Sequence, residues 1–161
     1  MARVSATTRE RWQRARPDLD TSPMEIIGPL KRLQGLLDLA MEPLYDGAPV
    51  TPAELDVLIH LRHADEPVIA RQLSRSLNCS RAAISKTLAR LELRGYLVRE
   101  ANPSDRRAAL VRLTDPGAEV VDAMFPRQLA AEAALLAGLT PAGRRTVADA
   151  LGLLLDAVRE R

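Results

Sequence analysis

Aromatic side chains are nearly absent from this chain of 161 residues: one Trp, two Tyr and one Phe make up 2% of it, against 47% hydrophobic residues in all. A core must therefore be assembled from Leu, Val, Ile and Ala, a composition that suits packed helices. Cysteine occurs once, at Cys79, which excludes an internal disulfide framework and fits a reducing compartment. No apolar run reaches the length of a membrane span, and residues 1–20 lack the apolar centre of a signal peptide. The expectation is a cytoplasmic protein with no membrane partner. There is no internal repeat, and the only biased tract is alanine-rich, from Ala130 to Ala137. The length fits one domain with a sizeable core.

What is present is a local concentration of positive charge. The formal net charge is +2, yet Arg81, Lys86, Arg90, Arg94, Arg99, Arg106, Arg107 and Arg112 face only Glu92, Glu100 and Asp105 in the same stretch, a net of +5 that leaves −3 for the remainder. Bases gathered on one helix and an adjoining hairpin form the electrostatic footprint of a binder of double-stranded DNA. Charge by itself favours a solvated face, since basic runs are common on ordinary surfaces, so the pattern around it has to decide.

Ser22-Pro23-Met24-Glu25 and Thr51-Pro52-Ala53-Glu54 both read as capping boxes with proline at the first helical position. The first opens a helix from about Pro23 to Tyr45, with Ile26, Ile27, Leu30, Leu33, Leu37, Met41 and Leu44 on one stripe. Gly28-Pro29 and Pro43 are expected to kink or split it. The second opens a helix from Pro52 to His63 that buries Leu55, Leu58 and Ile59. After the break at Asp65-Glu66-Pro67, Val68 to Leu77 reads as a short helix and Asn78-Cys79 as a tight turn, with Asn78 able to take a left-handed backbone. Ser80 then caps a helix that sends Ile84, Leu88, Leu91 and Leu93 to the core. Two short helices so joined make a helix-turn-helix. Val98-Arg99-Glu100 and Ala109 to Leu113, around a proline-containing turn, predict a hairpin.

At the ends of the chain, Met1 to Thr8 lacks periodicity and reads as disordered, and Arg9 to Arg16 reads as a short helix around Trp12, ended by Pro17. Asp115 as cap and Pro116 start a long helix that Pro126 should kink, and Thr140-Pro141 starts a last helix with Val147, Leu151, Leu153, Leu154, Leu155 and Val158 on a wide apolar face. The first long helix and the last two carry more apolar surface than a small DNA-binding unit needs. That predicts a homodimer, whose recognition helices would meet half-sites roughly 34 Å apart.

Gly95-Tyr96-Leu97-Val98-Arg99 followed by Asn102-Pro103-Ser104-Asp105-Arg106-Arg107 and Ala108 to Thr114 resembles the winged helix-turn-helix of the MarR (multiple antibiotic resistance regulator) family. The family's Asp-x-Arg wing motif and apolar-x-leucine-threonine strand have counterparts in Asp105, Arg107, Val111 and Leu113-Thr114. The resemblance spans roughly Pro23 to Arg161. It implies a mainly α fold with a small β-hairpin, in which residues 23–50 and 115–161 dimerise, 51–114 bind DNA and 1–22 form an extension. It also implies a repressor of a pseudo-palindromic operator that a small molecule releases; a ligand-independent or architectural DNA-binding protein, or a thiol- or metal-responsive regulator, is the alternative. Arg81, Ser85 and Lys86 are the candidates for base edges. Ser80 offers a capped helix start to a phosphate. Arg90 is expected on the backbone or as support for the wing, and Arg106 and Arg107 at the wing tip, where Asp105 can hold a guanidinium toward the minor groove.

The extension around Trp12 is similar to the extra first helix of a MarR branch that answers to urate and related anions. By that resemblance Trp12, Asp56 and Arg99 match three ligand-pocket positions, while Thr87 stands where the branch has an arginine. Trp12 reads equally as an apolar anchor. Asp56, His60 and His63 share a helix face at metal-ligand spacing, but nothing elsewhere completes a set, and no cofactor is expected. No Ser or Cys stands in a nucleophile motif with a histidine, so no enzyme is expected either. Cys79 reads as a small turn residue or as a thiol at the start of the recognition helix.

Overall fold

The structure is a computed structural model and describes residues 7–105 and 107–159. Most of the stretch expected to be disordered, residues 1–6, lies outside it. The chain forms two compact units, Met1–Pro43 and Leu44–Arg161.

In the first unit, Thr7 and Thr8 belong to a helix, not to a tail. Thr7 caps α1 (Thr8–Ala15): its amide donates to Glu10 Oε2 at 2.8 Å and its hydroxyl accepts from the Glu10 amide at 3.3 Å. Arg16 is held by Asp18 through two hydrogen bonds of 2.8 and 2.6 Å, and Arg9 pairs with Glu25. The capping box expected at Ser22 does not form. Asp20 Oδ1 takes the Ser22 amide at 2.9 Å, and the backbone carbonyls of Thr21, Ser22 and Pro23 receive the next amides. From that turn α2 (Met24–Tyr45) runs unbroken through Pro29 and Pro43. Pro29, the sixth residue of the helix, forfeits one bond, to the Glu25 carbonyl, and the helix is not split there.

The second unit contains α3 (Pro52–Arg62), β1 (Val68–Ile69), α4 (Ala70–Ser76), α5 (Arg81–Leu93), β2 (Leu97–Glu100), β3 (Leu110–Leu113), α6 (Asp115–Leu135) and α7 (Pro141–Arg159). Val68 and Ile69 were expected in a helix but form an edge strand: they pair with Val111 and Leu110, giving an antiparallel sheet of order β1-β3-β2. Two adjacent β-branched residues after a proline favour extension, and β3 supplies the partner. β2 and β3 pair in register from Leu97 with Leu113 to Glu100 with Leu110, the expected hairpin.

Leu55, Leu58, Leu73, Leu88, Leu91, Leu97 and Val111 fill the core, with Val121 and Met124 of α6 against them. Arg62 grips Asp122 with two 2.9 Å hydrogen bonds between α3 and α6. Leu93 is not a core residue: it is 89% exposed, and Thr87, at 7%, lies inside instead. The helical period accounts for both, since Thr87 stands three residues from Ile84 and Leu93 nine, about half a revolution away.

The cap of α6 is Thr114, not Asp115. Its hydroxyl accepts from the Gly117 amide at 3.3 Å and donates to the Gly95 carbonyl at 2.6 Å, joining the end of the wing to the turn where it begins. Helix α6 continues through Pro126. Thr140 caps α7, accepting from the Gly143 amide at 3.1 Å. No residue of α7 is buried, and Val147, Leu151, Leu153, Leu155 and Val158 are exposed; so, in the first unit, are Ile26, Ile27, Leu30, Leu33, Leu36 and Leu39 of α2.

Candidate nucleic-acid interface

The turn between α4 and α5 is built by side chains as much as by backbone. Asn78 takes the left-handed conformation at φ 50°, and Ser74 clamps the turn from both sides: its carbonyl accepts the Cys79 amide at 3.0 Å and its hydroxyl donates to the Cys79 carbonyl at 2.6 Å. Cys79 Sγ, exposed, is turned to the Leu77 carbonyl at 3.2 Å. Ser80 Oγ then accepts from the Ala83 amide at 3.1 Å and starts α5. With Ile84, Thr87, Leu88 and Leu91 facing inward, Arg81, Ala82, Ala83, Ser85 and Lys86 are left on the exposed front. The two alanines keep that front slim, which a helix entering a major groove requires.

Charge is divided sharply within this region. Arg90 Nε and Arg94 Nη2 bind Glu54 Oε1 at 3.0 and 2.8 Å, Arg99 binds Glu92, and Arg112 Nε binds Glu100 Oε2 at 3.0 Å. By contrast Arg81, Lys86 and Arg107 are exposed and have no ion-pair partner among the described residues. Arg71 and Arg75 of α4 share that condition and were missed from the sequence, because they fall outside the segment where the charge count began. Their four-residue spacing on α4, one turn apart, was the available signal.

The wing turn is shaped by short side chains. Asn102 Oδ1 takes the Ser104 amide at 2.9 Å and Asp105 Oδ1 takes the Arg107 amide at 3.0 Å. Asp105 therefore acts on the backbone of Arg107, where the sequence suggested its guanidinium; aspartate two residues before an amide closes an Asx turn more readily than it reaches along an arginine. Arg106 lies outside the described residues.

Glu54 sits at the centre of the opposite end of α5. Its carboxylate is 3% exposed, with Oε2 accepting the Thr51 amide at 2.9 Å. Burial pushes its pKa up, but the Thr51 amide and the Arg94 guanidinium outweigh burial and hold it below the usual carboxylate range.

Of the suggested ligand residues, Trp12 belongs to the first unit and is half exposed. In the second, Asp56 has its pKa raised by burial and by the neighbouring Glu132. Arg99 is engaged with Glu92 of α5, its Nε lying 2.9 Å from Oε2, a bond that raises the pKa of the arginine and lowers that of the glutamate. Among the described residues no group of three or more His, Cys, Asp or Glu could hold a metal ion, and no helix is long and apolar enough to cross a membrane.

With this geometry in place, residues 48–108 match the model of the MarR family. The HTH-type transcriptional regulator PecS of Dickeya dadantii is 32% identical over 115 residues, which cover 70% of this chain and 69% of that protein. Among solved structures, the PcaV transcriptional regulator of Streptomyces coelicolor in complex with its natural ligand aligns with a TM-score of 0.68 at 26% identity, over 78% of this chain and 91% of that one. The MepR–DNA complex of S. aureus aligns with a TM-score of 0.76 at 16% identity, over 82% and 97%, a likeness of fold.

Proposed function

The chain belongs to the MarR family of winged helix-turn-helix transcriptional regulators, and from that membership we propose that it acts as a homodimeric cytoplasmic repressor on a pseudo-palindromic operator. It is a DNA-binding regulator and not an enzyme. The observation that carries the finer reading is the division of charge within residues 71–112: the described cations there without an ion-pair partner lie on α4, the front of α5 and the wing, while the others are held by Glu54, Glu92 and Glu100. Arg81, Ser85 and Lys86 read base edges, the Ser80-capped helix start meets a phosphate, Arg71 and Arg75 hold flanking phosphates, and the wing, shaped by Asp105, delivers Arg107 to the minor groove. Residues 51–114 form the DNA-binding part. The exposed leucine-rich faces within 23–50 and 115–161 supply the dimer contact, and residues 1–22 an extension to it.

Release is the second half of the proposal. A small anionic or aromatic effector favours a dimer whose recognition helices no longer match the half-site spacing. Asp56 and Arg99 of the second unit are its suggested residues, and an anion that draws Arg99 from Glu92 removes a tie between β2 and α5.

The test is titration of the purified protein onto its selected operator with the mass of the complex recorded, then challenge with urate and with benzoate. Two chains per duplex and loss of the complex on challenge are expected. One chain per duplex would refute the dimer, and a complex indifferent to both acids would refute release by this ligand class. For the wing, Arg107→Ala is expected to weaken binding and to flatten the dependence of log affinity on log salt by about one unit. Unchanged affinity and slope would displace the wing from the DNA.

A further inference from the structure

The buried carboxylate of Glu54 has more partners than a helix cap needs. Its Oε2 takes the Thr51 amide, which is sufficient to start α3. Its Oε1 faces the recognition helix and accepts from Arg90 Nε at 3.0 Å and Arg94 Nη2 at 2.8 Å. Arg94 extends the linkage: Nη1 donates to the Pro49 carbonyl at 2.7 Å, Nε to the Arg90 carbonyl at 3.3 Å, and the guanidinium carbon lies 5.4 Å from the centre of the Tyr96 ring. Tyr96 immediately precedes β2, and its carbonyl accepts the Thr114 amide at 3.2 Å. One buried anion thus ties the connector before α3, the start of α3, the last turn of α5 and the entry to the wing.

Stability is a weak reason for such an arrangement, because removing the charges from water offsets much of their attraction and apolar residues can fill the same space. What the charges add is direction. We infer that Glu54 is a positioning residue for DNA recognition: through Arg90 and Arg94 it sets the angle of α5 against the wing and withholds two arginines of the basic segment from phosphate. The inference rests on the DNA-binding reading and concerns how that binding is made selective. With both guanidiniums tied to an internal carboxylate, the available charge is confined to the front of α5, α4 and the wing. Affinity for an arbitrary duplex, which depends on phosphate neutralisation, is held down, and affinity for the fitting sequence is kept. Arg90, a candidate for the DNA backbone on sequence, becomes a holder of the helix.

Glu54→Gln tests this, since the amide retains an oxygen for the Thr51 amide and lacks the charge that holds the arginines. Affinities of the full chain for the operator selected from a random pool and for a random duplex of equal length are measured across a salt series, beside the melting temperature of each protein. Operator affinity is expected to fall about tenfold. Random-duplex affinity is expected to rise, with a salt slope steeper by about one to two units as Arg90 and Arg94 become available to phosphates. Arg90→Gln leaves the Arg94–Glu54 contact in place and serves where Glu54→Gln does not fold; its salt slope should equal that of the unaltered protein while the operator-to-random ratio falls. Equal loss of both affinities in Glu54→Gln would reduce Glu54 to a structural residue, and an unchanged ratio would remove it from recognition. A slope flattened by about one unit in Arg90→Gln would make Arg90 a phosphate contact and overturn the inference. Failure of the DNA-binding reading itself looks different: the unaltered protein would not separate operator from random duplex.

Discussion

Replacing Gly117 with alanine is expected to lower the free energy of unfolding by about 3 kcal/mol, the upper end of what overpacking ordinarily costs. A Cβ at this position would stand 2.1 Å from the Tyr96 carbonyl oxygen, 3.0 Å from its carbonyl carbon and 2.8 Å from Leu113 Cδ1. Two of these are backbone atoms and have little room to yield, because the Tyr96 oxygen already receives the Thr114 amide and the Thr114 hydroxyl bridges the Gly95 carbonyl and the Gly117 amide. Gly117 is therefore the place where the first turn of α6 lies directly on the root of the wing. Urea unfolding of the variant beside the unaltered protein measures the effect. A midpoint shift equivalent to well under 1 kcal/mol would mean that α6 can lift from the wing at little cost, and the close approach would lose its meaning.

Arg81→Ala carries the second large expectation, a loss of about 1–3 kcal/mol in operator affinity together with relaxed sequence preference at one position of each half-site. Arg81 is the first residue after the Ser80 cap, exposed, and free of any internal carboxylate among the described residues. In the proposed reading that end of α5 leads into a major groove, where a guanidinium is the group best matched to the two acceptors of guanine. Lys86, one and a half turns on, is a point charge and should contribute more uniformly across sequences. The measurement is competition between the operator and single-base variants of it. Weakening that is uniform across all variants would make Arg81 a phosphate contact.

What could be read from the sequence was whatever is written locally. Ser80 as a cap, Asn78 as a left-handed turn, Thr140 at the start of α7 and the β2–β3 hairpin each depend on a few consecutive residues and stand in the structure as expected. Several of the misreadings turn on partners distant in the chain. Val68 and Ile69 are a strand because β3 lies beside them, more than forty residues on. Thr114 displaces Asp115 as the cap because its hydroxyl also serves Gly95. Glu54 was legible as half of a capping box, whereas its hold on Arg90 and Arg94 was not, since nothing in either short segment announces the other. Leu93 is a different case: the period that places Ile84, Leu88 and Leu91 inside puts it outside, so its exposure was available from the sequence. For the proposed interface the distinction matters most, because counting bases points to a region, whereas only the structure shows which of those bases are paired with Glu54, Glu92 and Glu100.

In the proposed dimer this frame presents two copies of a recognition helix and wing to a specific duplex. Selection from a random-sequence duplex pool at moderate salt, followed by sequencing of the retained molecules, tests it directly. A two-fold symmetric motif with half-site centres about 10 base pairs apart, or a multiple of that, is the predicted result. A retained pool with no enriched motif would contradict it and leave an architectural DNA-binding protein in its place.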